Sequence, residues 1–126
     1  MYEVATQQSF AAAHRLLHYN GPCENLHGHN WVVRACVGAS ELDGSGIGID
    51  FRKLKGALRD VLGELDHTCL NDTFDALNLS PSSENIARFV YDRLKPTVST
   101  DTCRLLRVEV SETPGDTASY YEDPHA

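Results

Sequence analysis

Residues 2–14 open the chain with polar and apolar positions in alternation, which predicts a strand with Phe10, Ala12 and His14 on one face. The run Ala11-Ala12-Ala13 suits a helix too, so periodicity alone leaves both open there. Residues 17–26 carry Asn20-Gly21-Pro22, a turn signal. A second strand follows over 27–37, with His27, His29, Trp31, Val33, Ala35 and Val37 on one face. Residues 38–48 hold four glycines and read as a loop. Asp50 is placed to cap a helix in which Phe51, Leu54, Leu58, Val61, Leu62 and Leu65 recur at helical spacing to about residue 65. Asp66-His67 falls at its C-terminal end, before a loop with Asn71-Asp72. Ser80-Pro81-Ser82-Ser83-Glu84 starts a second helix, with Ile86, Phe89, Val90 and Leu94 on its buried side and Lys95-Pro96 as its end. A third strand over 103–112 places Leu106, Val108, Val110 and Glu112 on one face. Thr113 to Asp116 is a turn, and Ala118 to Glu122 a short fourth strand.

The order strand, strand, helix, helix, strand, strand predicts an α+β domain: antiparallel hairpins with both helices on one face. A chain of 126 residues suits a single domain spanning 1–126. Its 41% hydrophobic content supports a modest core, and a domain this small gains from burying further surface in an oligomer. Lys and Arg number 11 against 18 Asp and Glu, a net charge of −7, with no basic run; this argues against a nucleic-acid partner. No apolar run is long enough to span a bilayer and no signal peptide opens the chain, so the expectation is a cytoplasmic protein with no membrane partner. Four scattered cysteines, Cys23, Cys36, Cys69 and Cys103, then read as free thiols. Cys36 and Cys103 lie in apolar strands and read as core thiols; only Cys23 lies beside a histidine cluster.

That cluster is the chain's main chemical signal. In Cys23-Glu24-Asn25-Leu26-His27-Gly28-His29-Asn30, two histidines two residues apart on a strand project from the same face. His14, at the end of the neighbouring strand, supplies a third imidazole; His18 in the loop competes for that place. Three imidazoles suit a zinc ion with one open position, preferred over iron or copper on imidazole chemistry and availability. Cys23 is then a fourth ligand closing a structural site, or a nucleophile or base whose thiolate the cation favours. Asp66-His67 is either a base with its tuning carboxylate or a histidine favoured by a helix C-terminus. Glu112 is either a surface carboxylate or a two-oxygen acceptor for a ligand's amidine-like donors.

Seven motifs occur in order: Phe10 to Leu16, Cys23-x-x-x-His27-Gly28-His29-Asn30, Gly48-Ile49-Asp50-Phe51, Leu65-Asp66-His67, Leu70-Asn71, Pro81-Ser82-Ser83-Glu84-Asn85 and Val110-Ser111-Glu112-Thr113. Together they resemble the family of 6-pyruvoyl-tetrahydropterin and 6-carboxy-tetrahydropterin synthases over nearly the whole chain. The resemblance implies a tunnelling fold, a four-stranded antiparallel sheet with two helices on one side. It implies trimers or hexamers of two trimers, with active sites between subunits. It also implies zinc held by His14, His27 and His29, Cys23 as catalytic thiol, Asp66 and His67 as proton-transfer groups from a neighbouring subunit, and Glu112 as anchor of the pterin ring. The family substrate is 7,8-dihydroneopterin triphosphate. A short, bacterial-looking chain favours the 6-carboxy branch, which serves queuosine and related deazapurines, over the pyruvoyl branch. Glu24 adds Glu24-x-x-His27-Gly28-His29, which resembles relatives that cleave the side chain to 6-hydroxymethyl-7,8-dihydropterin for folate; otherwise Glu24 is an exposed loop residue. A pterin binder without turnover is the remaining alternative.

Overall fold

The two long alternating segments pair with each other along their whole length. In the computed structural model, which describes residues 1–16 and 25–122, strand β1 (Tyr2–His14) runs antiparallel to β2 (His27–Ala39), with Phe10 opposite Trp31, Ala12 opposite His29 and His14 opposite His27. The histidines therefore share a face with the core residues Phe10, Trp31, Val33 and Val37. The chain continues through α1 (Phe51–Leu62), β3 (Thr68–Cys69), α2 (Leu70–Asp75), α3 (Ser83–Val98), β4 (Cys103–Thr113) and β5 (Asp116–Tyr120). The sheet order is β3-β1-β2-β4-β5; β3 lies parallel to β1, and the other neighbours are antiparallel. Helices α1 and α3 pack on each other, α1 against β1 and α3 against β4 and β5.

Both long helices begin with the caps their sequences offer. Asp50 Oδ1 accepts the Arg52 N–H at 2.7 Å, and Ser82 Oγ accepts that of Asn85 at 3.2 Å. Leu54, Leu58, Ile86, Val90 and Leu94 are fully buried, as their spacing requires. Phe51, by its spacing a member of the buried face, is instead exposed, in a groove beside Tyr2 and Val4 of β1.

Five further expectations are corrected. The sheet has five strands rather than four, and the order is ββαβααββ. The added β3 and α2 are two and six residues long, too short for periodicity to register, and β3 exists only because β1 offers an edge. Helix α1 stops at Leu62, and turns carry the chain on to a buried Leu65 and to His67, whose φ of 58° places it in the left-handed region. Helix α3 passes through Pro96 to Val98: the ring removes one N–H in the last turn, the buried Val98 holds that turn down, and Ser99 closes it with its N–H and Oγ on the Lys95 carbonyl. In β4, Leu106 is an extra residue between the pairs Cys36–Arg107 and Val37–Leu105, so Leu105 takes the core-facing place expected of Leu106. A Cβ at Gly38 would come within 3.1 Å of the displaced Leu106 side chain, so a glycine there suits the bulge. Cys103 joins the core, whereas Cys36, though buried, faces away from it and donates to Glu109 Oε2 at 3.5 Å.

Candidate metal centre

Where β1 ends, β2 begins and β4 reaches Glu112, four side chains converge. One ligand-type atom each from His14, His27, His29 and Glu112 lies within 4.8 Å of every other. His14 Nε2 is 3.0 Å from His27 Nε2 and 2.9 Å from Glu112 Oε1. The same carboxylate oxygen is 2.9 Å from His29 Nε2 and 3.8 Å from His27 Nε2. Bonds of about 2.0–2.2 Å to a tetrahedral zinc put ligand atoms about 3.3 Å apart, so these separations bracket that spacing.

The proton positions make the convergence informative. His14 Nδ1 lies 2.8 Å from the Pro81 carbonyl, and His27 Nδ1 lies 2.6 Å from that of Asn25. A carbonyl only accepts, so both Nδ1 atoms carry the hydrogen and the neutral rings turn Nε2 lone pairs inward. An ionised Glu112 is likewise acceptor-only. His29 Nε2 is buried with no hydrogen-bond partner among the described residues. His14 Nε2, His27 Nε2 and Glu112 Oε1 are thus three acceptors aimed at one another, and they repel unless a cation or added protons lie between them. Burial is the main cause pushing the His29 imidazole below its ordinary pKa, against the pull of Glu112, which favours the neutral, metal-binding form. The residues present fit a divalent ion such as zinc.

The surroundings hold these rings in place. His14 is 1% exposed, its ring edge-on to Trp31 with centroids 4.8 Å apart. Trp31 in turn donates from Nε1 to the Ala12 carbonyl at 3.2 Å. Backbone carbonyls on the far nitrogens of His14 and His27 fix both tautomers, the usual outer support of a metal-binding histidine. Just past His14, the buried amide of Asn71 clamps Arg15 from both sides: its Oδ1 accepts the Arg15 N–H at 2.9 Å and its Nδ2 donates to the Arg15 carbonyl at 3.0 Å. Asn71, Pro81 and Asn25 were not among the candidates, because each acts through a partner distant in sequence or through a carbonyl that any residue would supply.

The remaining candidates divide. Asp66 and His67 form a pair, His67 Nδ1 being 3.0 Å from Asp66 Oδ2, but they do not join the cluster. The His67 side chain is 81% exposed and lies along an open groove with Ala11, Ala13, Gly28 and Asn30. Both are tied to β1: Asp66 Oδ1 accepts the Ala11 N–H at 2.9 Å, and the His67 N–H donates to the Ala11 carbonyl at 2.6 Å. The Ala11 N–H, aided by His67, holds the Asp66 carboxyl below the usual carboxylate range. Cys23, Glu24 and His18 lie outside the described residues. Among the described residues, no helix is long and apolar enough to cross a membrane.

Known proteins resemble the chain over most of its length. The family model for 6-pyruvoyl tetrahydropterin synthase matches residues 3–123. A Synechocystis protein named 6-carboxy-5,6,7,8-tetrahydropterin synthase is 35% identical over 126 aligned positions, covering 96% of this chain and 94% of its own. A Bacillus subtilis protein of the same name is 34% identical, covering 90% of this chain and 80% of its own. The Caenorhabditis elegans 6-pyruvoyl tetrahydropterin synthase structure superposes with a TM-score of 0.83 at 30% identity, over 97% of this chain and 96% of that one.

Proposed function

The chain belongs to the 6-pyruvoyl tetrahydropterin synthase family, and from that premise we propose that it is a zinc-dependent 6-carboxy-5,6,7,8-tetrahydropterin synthase. As a lyase it takes 7,8-dihydroneopterin triphosphate and one water, forms the 6-carboxy tetrahydropterin and releases acetaldehyde and triphosphate, supplying queuosine and related deazapurines. The observation that carries this is the convergence of His14, His27, His29 and Glu112, each with one ligand-type atom, on a chain that resembles proteins of that name over most of its length.

His14, His27 and His29 would hold the zinc ion. When bound, zinc supplies Lewis-acid polarisation of the substrate's side-chain oxygens. Cys23 as thiolate takes a proton from the substrate side chain; it lies four residues before His27 in the sequence. Asp66 orients His67, which relays protons near neutral pH. Glu112 anchors the pterin ring through its carboxylate, so that the reacting carbons face the histidines. His67 is exposed, and neither it nor Asp66 joins its own subunit's histidine cluster, which supports delivery to the site of a neighbour in a homotrimer or hexamer. Tyr2, Leu42, Ile47 and Phe51, all exposed large apolar residues along one groove, support further burial in such an assembly. The domain is read as 1–126 entire, acting in the cytoplasm.

A second reading rests on Glu24, two residues before Leu26 and three before His27. A carboxylate there is an alternative base for side-chain cleavage to 6-hydroxymethyl-7,8-dihydropterin. Mass identification of the product from 7,8-dihydroneopterin triphosphate tests both. The zinc-loaded protein is expected to give the 6-carboxy product, and Cys23→Ala to lose it. A 6-pyruvoyl product moves the chain to the other branch. A hydroxymethyl product that persists unchanged in Glu24→Ala sinks the second reading, and intact substrate throughout makes the protein a binder.

A further inference from the structure

The substrate proposed above carries a triphosphate, while the end of the molecule that would receive it is poor in cations. Residues 1–33, 60–87 and 108–126 contain every side chain of the proposed site, and they hold 13 Asp and Glu against one Lys or Arg, Arg15. The other ten of the 11 Lys and Arg lie on α1, on α3 from Arg88 onward, and in the halves of β2 and β4 away from the histidines. Several of those are committed: Arg34 and Arg107 lie 3.6 and 3.3 Å from Glu109, and Arg88 lies 3.7 Å from Asp92. Arg15 is exposed and pairs with no carboxylate among the described residues. Its backbone is nonetheless fixed. Asn71 Oδ1 accepts the Arg15 N–H at 2.9 Å, and Asn71 Nδ2 donates to the Arg15 carbonyl at 3.0 Å. Consecutive Cα atoms lie about 3.8 Å apart, so this clamped, exposed cation is rooted one residue from His14.

Resting on the pterin reading above, we infer that Arg15 is the residue that recognises the substrate's triphosphate. In that substrate the triphosphate ends the same side chain whose oxygens the zinc would polarise, so it lies only a few bonds from the histidine cluster. Arginine suits the task, because its planar guanidinium offers paired N–H donors to phosphate oxygens and stays charged at every working pH. The surrounding carboxylates repel a polyphosphate, so a single held cation decides whether one is accepted. A pterin without phosphates gains nothing from it. Arg15 thereby sets the preference for the phosphorylated substrate, while ring and metal contacts stay with other residues. The Asn71 clamp uses only backbone groups of residue 15. The chain is therefore ordered before the ligand arrives, and a change of side chain leaves the clamp in place.

Binding of neopterin triphosphate and of neopterin, the oxidised fluorescent forms, is measured by fluorescence anisotropy on the full-length wild type, Arg15→Gln and Arg15→Lys. Equal urea midpoints and equal zinc stoichiometry identify the variants as folded. The wild type is expected to prefer the triphosphate, and Arg15→Gln to lose at least about tenfold of that preference, the loss of one charged hydrogen-bonding group. Arg15→Lys should recover part of it, and neopterin should bind all three proteins equally. Added salt should weaken triphosphate binding more in the wild type than in Arg15→Gln. An Arg15→Gln protein that keeps the full preference overturns the inference; if Arg59→Gln removes it instead, the cation comes from α1 of a neighbouring subunit. Neopterin binding that falls together with triphosphate binding in Arg15→Gln also overturns it, because the residue then supports the site as a whole. A wild type that binds neither ligand removes the pterin reading itself.

Discussion

His14 belongs at once to the proposed metal site and to the buried interior, and the two roles separate on mutation. Its ring is 1% exposed, against 29% for His27 and 19% for His29. Its Nδ1 hydrogen is the partner of the Pro81 carbonyl, which holds the segment leading into α3. His27→Ala and His29→Ala should abolish stoichiometric zinc binding and leave the metal-free protein nearly as stable as wild type. His14→Ala should lose zinc too, and in addition lower metal-free stability by about 1–3 kcal/mol, the cost of a buried carbonyl left without a donor. Zinc stoichiometry by mass spectrometry and urea unfolding of the metal-free proteins check both halves. Asp66 gives a pH-linked companion. Its folded pKa is depressed, first by the Ala11 N–H, so the stability it contributes is present above its unfolded value and is lost as pH falls through the lower folded value. A carboxyl resonance of Asp66 titrating at or above the ordinary aspartate value would contradict this. The three imidazoles were legible in the sequence because strand alternation fixes which side chains share a face. The pairing of Glu112 with them was only half legible: its place at the end of an apolar stripe was visible, but which strand end it would meet depends on β4 pairing with β2.

At the scale of elements, the long amphipathic pieces were readable and the short ones were not. Helices α1 and α3 advertise themselves by period and cap, and β1 and β2 by alternation, since each buries one face of its own. Strand β3 and helix α2 have no such face; they are positioned by β1 and by Asn71. The Asn71 amide pairs with the Arg15 backbone as a neighbouring strand would, and so extends the hold on β1 one residue beyond His14. Asn71→Ala leaves both Arg15 backbone groups unpaired where they are partly buried, and should cost about 1–3 kcal/mol. It should also weaken zinc binding, although Asn71 touches no ligand. A surface role would move neither stability nor affinity, so urea unfolding and zinc titration of this variant decide. Leu58 on α1 is a control for a purely structural effect. It is fully buried, so Leu58→Ala should destabilise by about 2–5 kcal/mol while leaving zinc affinity unchanged. Where the sequence misplaced a residue, at Leu106, a single inserted position on β4 flips side chains to the other face, and nothing local announces it.

At the scale of the whole molecule, the two halves of the proposed chemistry sit apart. The proposed metal cluster lies on the helix-covered face of the sheet, while at the β3 edge a half-buried Asp66 holds an exposed His67, both anchored to the backbone of Ala11. A proton relay that is 81% exposed does little for its own site, and the left-handed backbone at His67 is a cost that points the ring outward. Both facts make sense if a second copy covers the pair and takes it as part of its own site. Mixing two inactive variants tests this directly. His14→Ala lacks the metal, and His67→Ala lacks the relay. Each site in a mixed assembly draws its metal half and its relay half from different subunits, so about a quarter of the sites in an equal mixture contain both intact halves. Unfolding and refolding the two variants together should therefore restore activity that neither shows alone, in particles larger than a monomer by light scattering. If the relay instead serves its own chain, every subunit in the mixture carries one defect and no activity returns, whatever the size of the assembly.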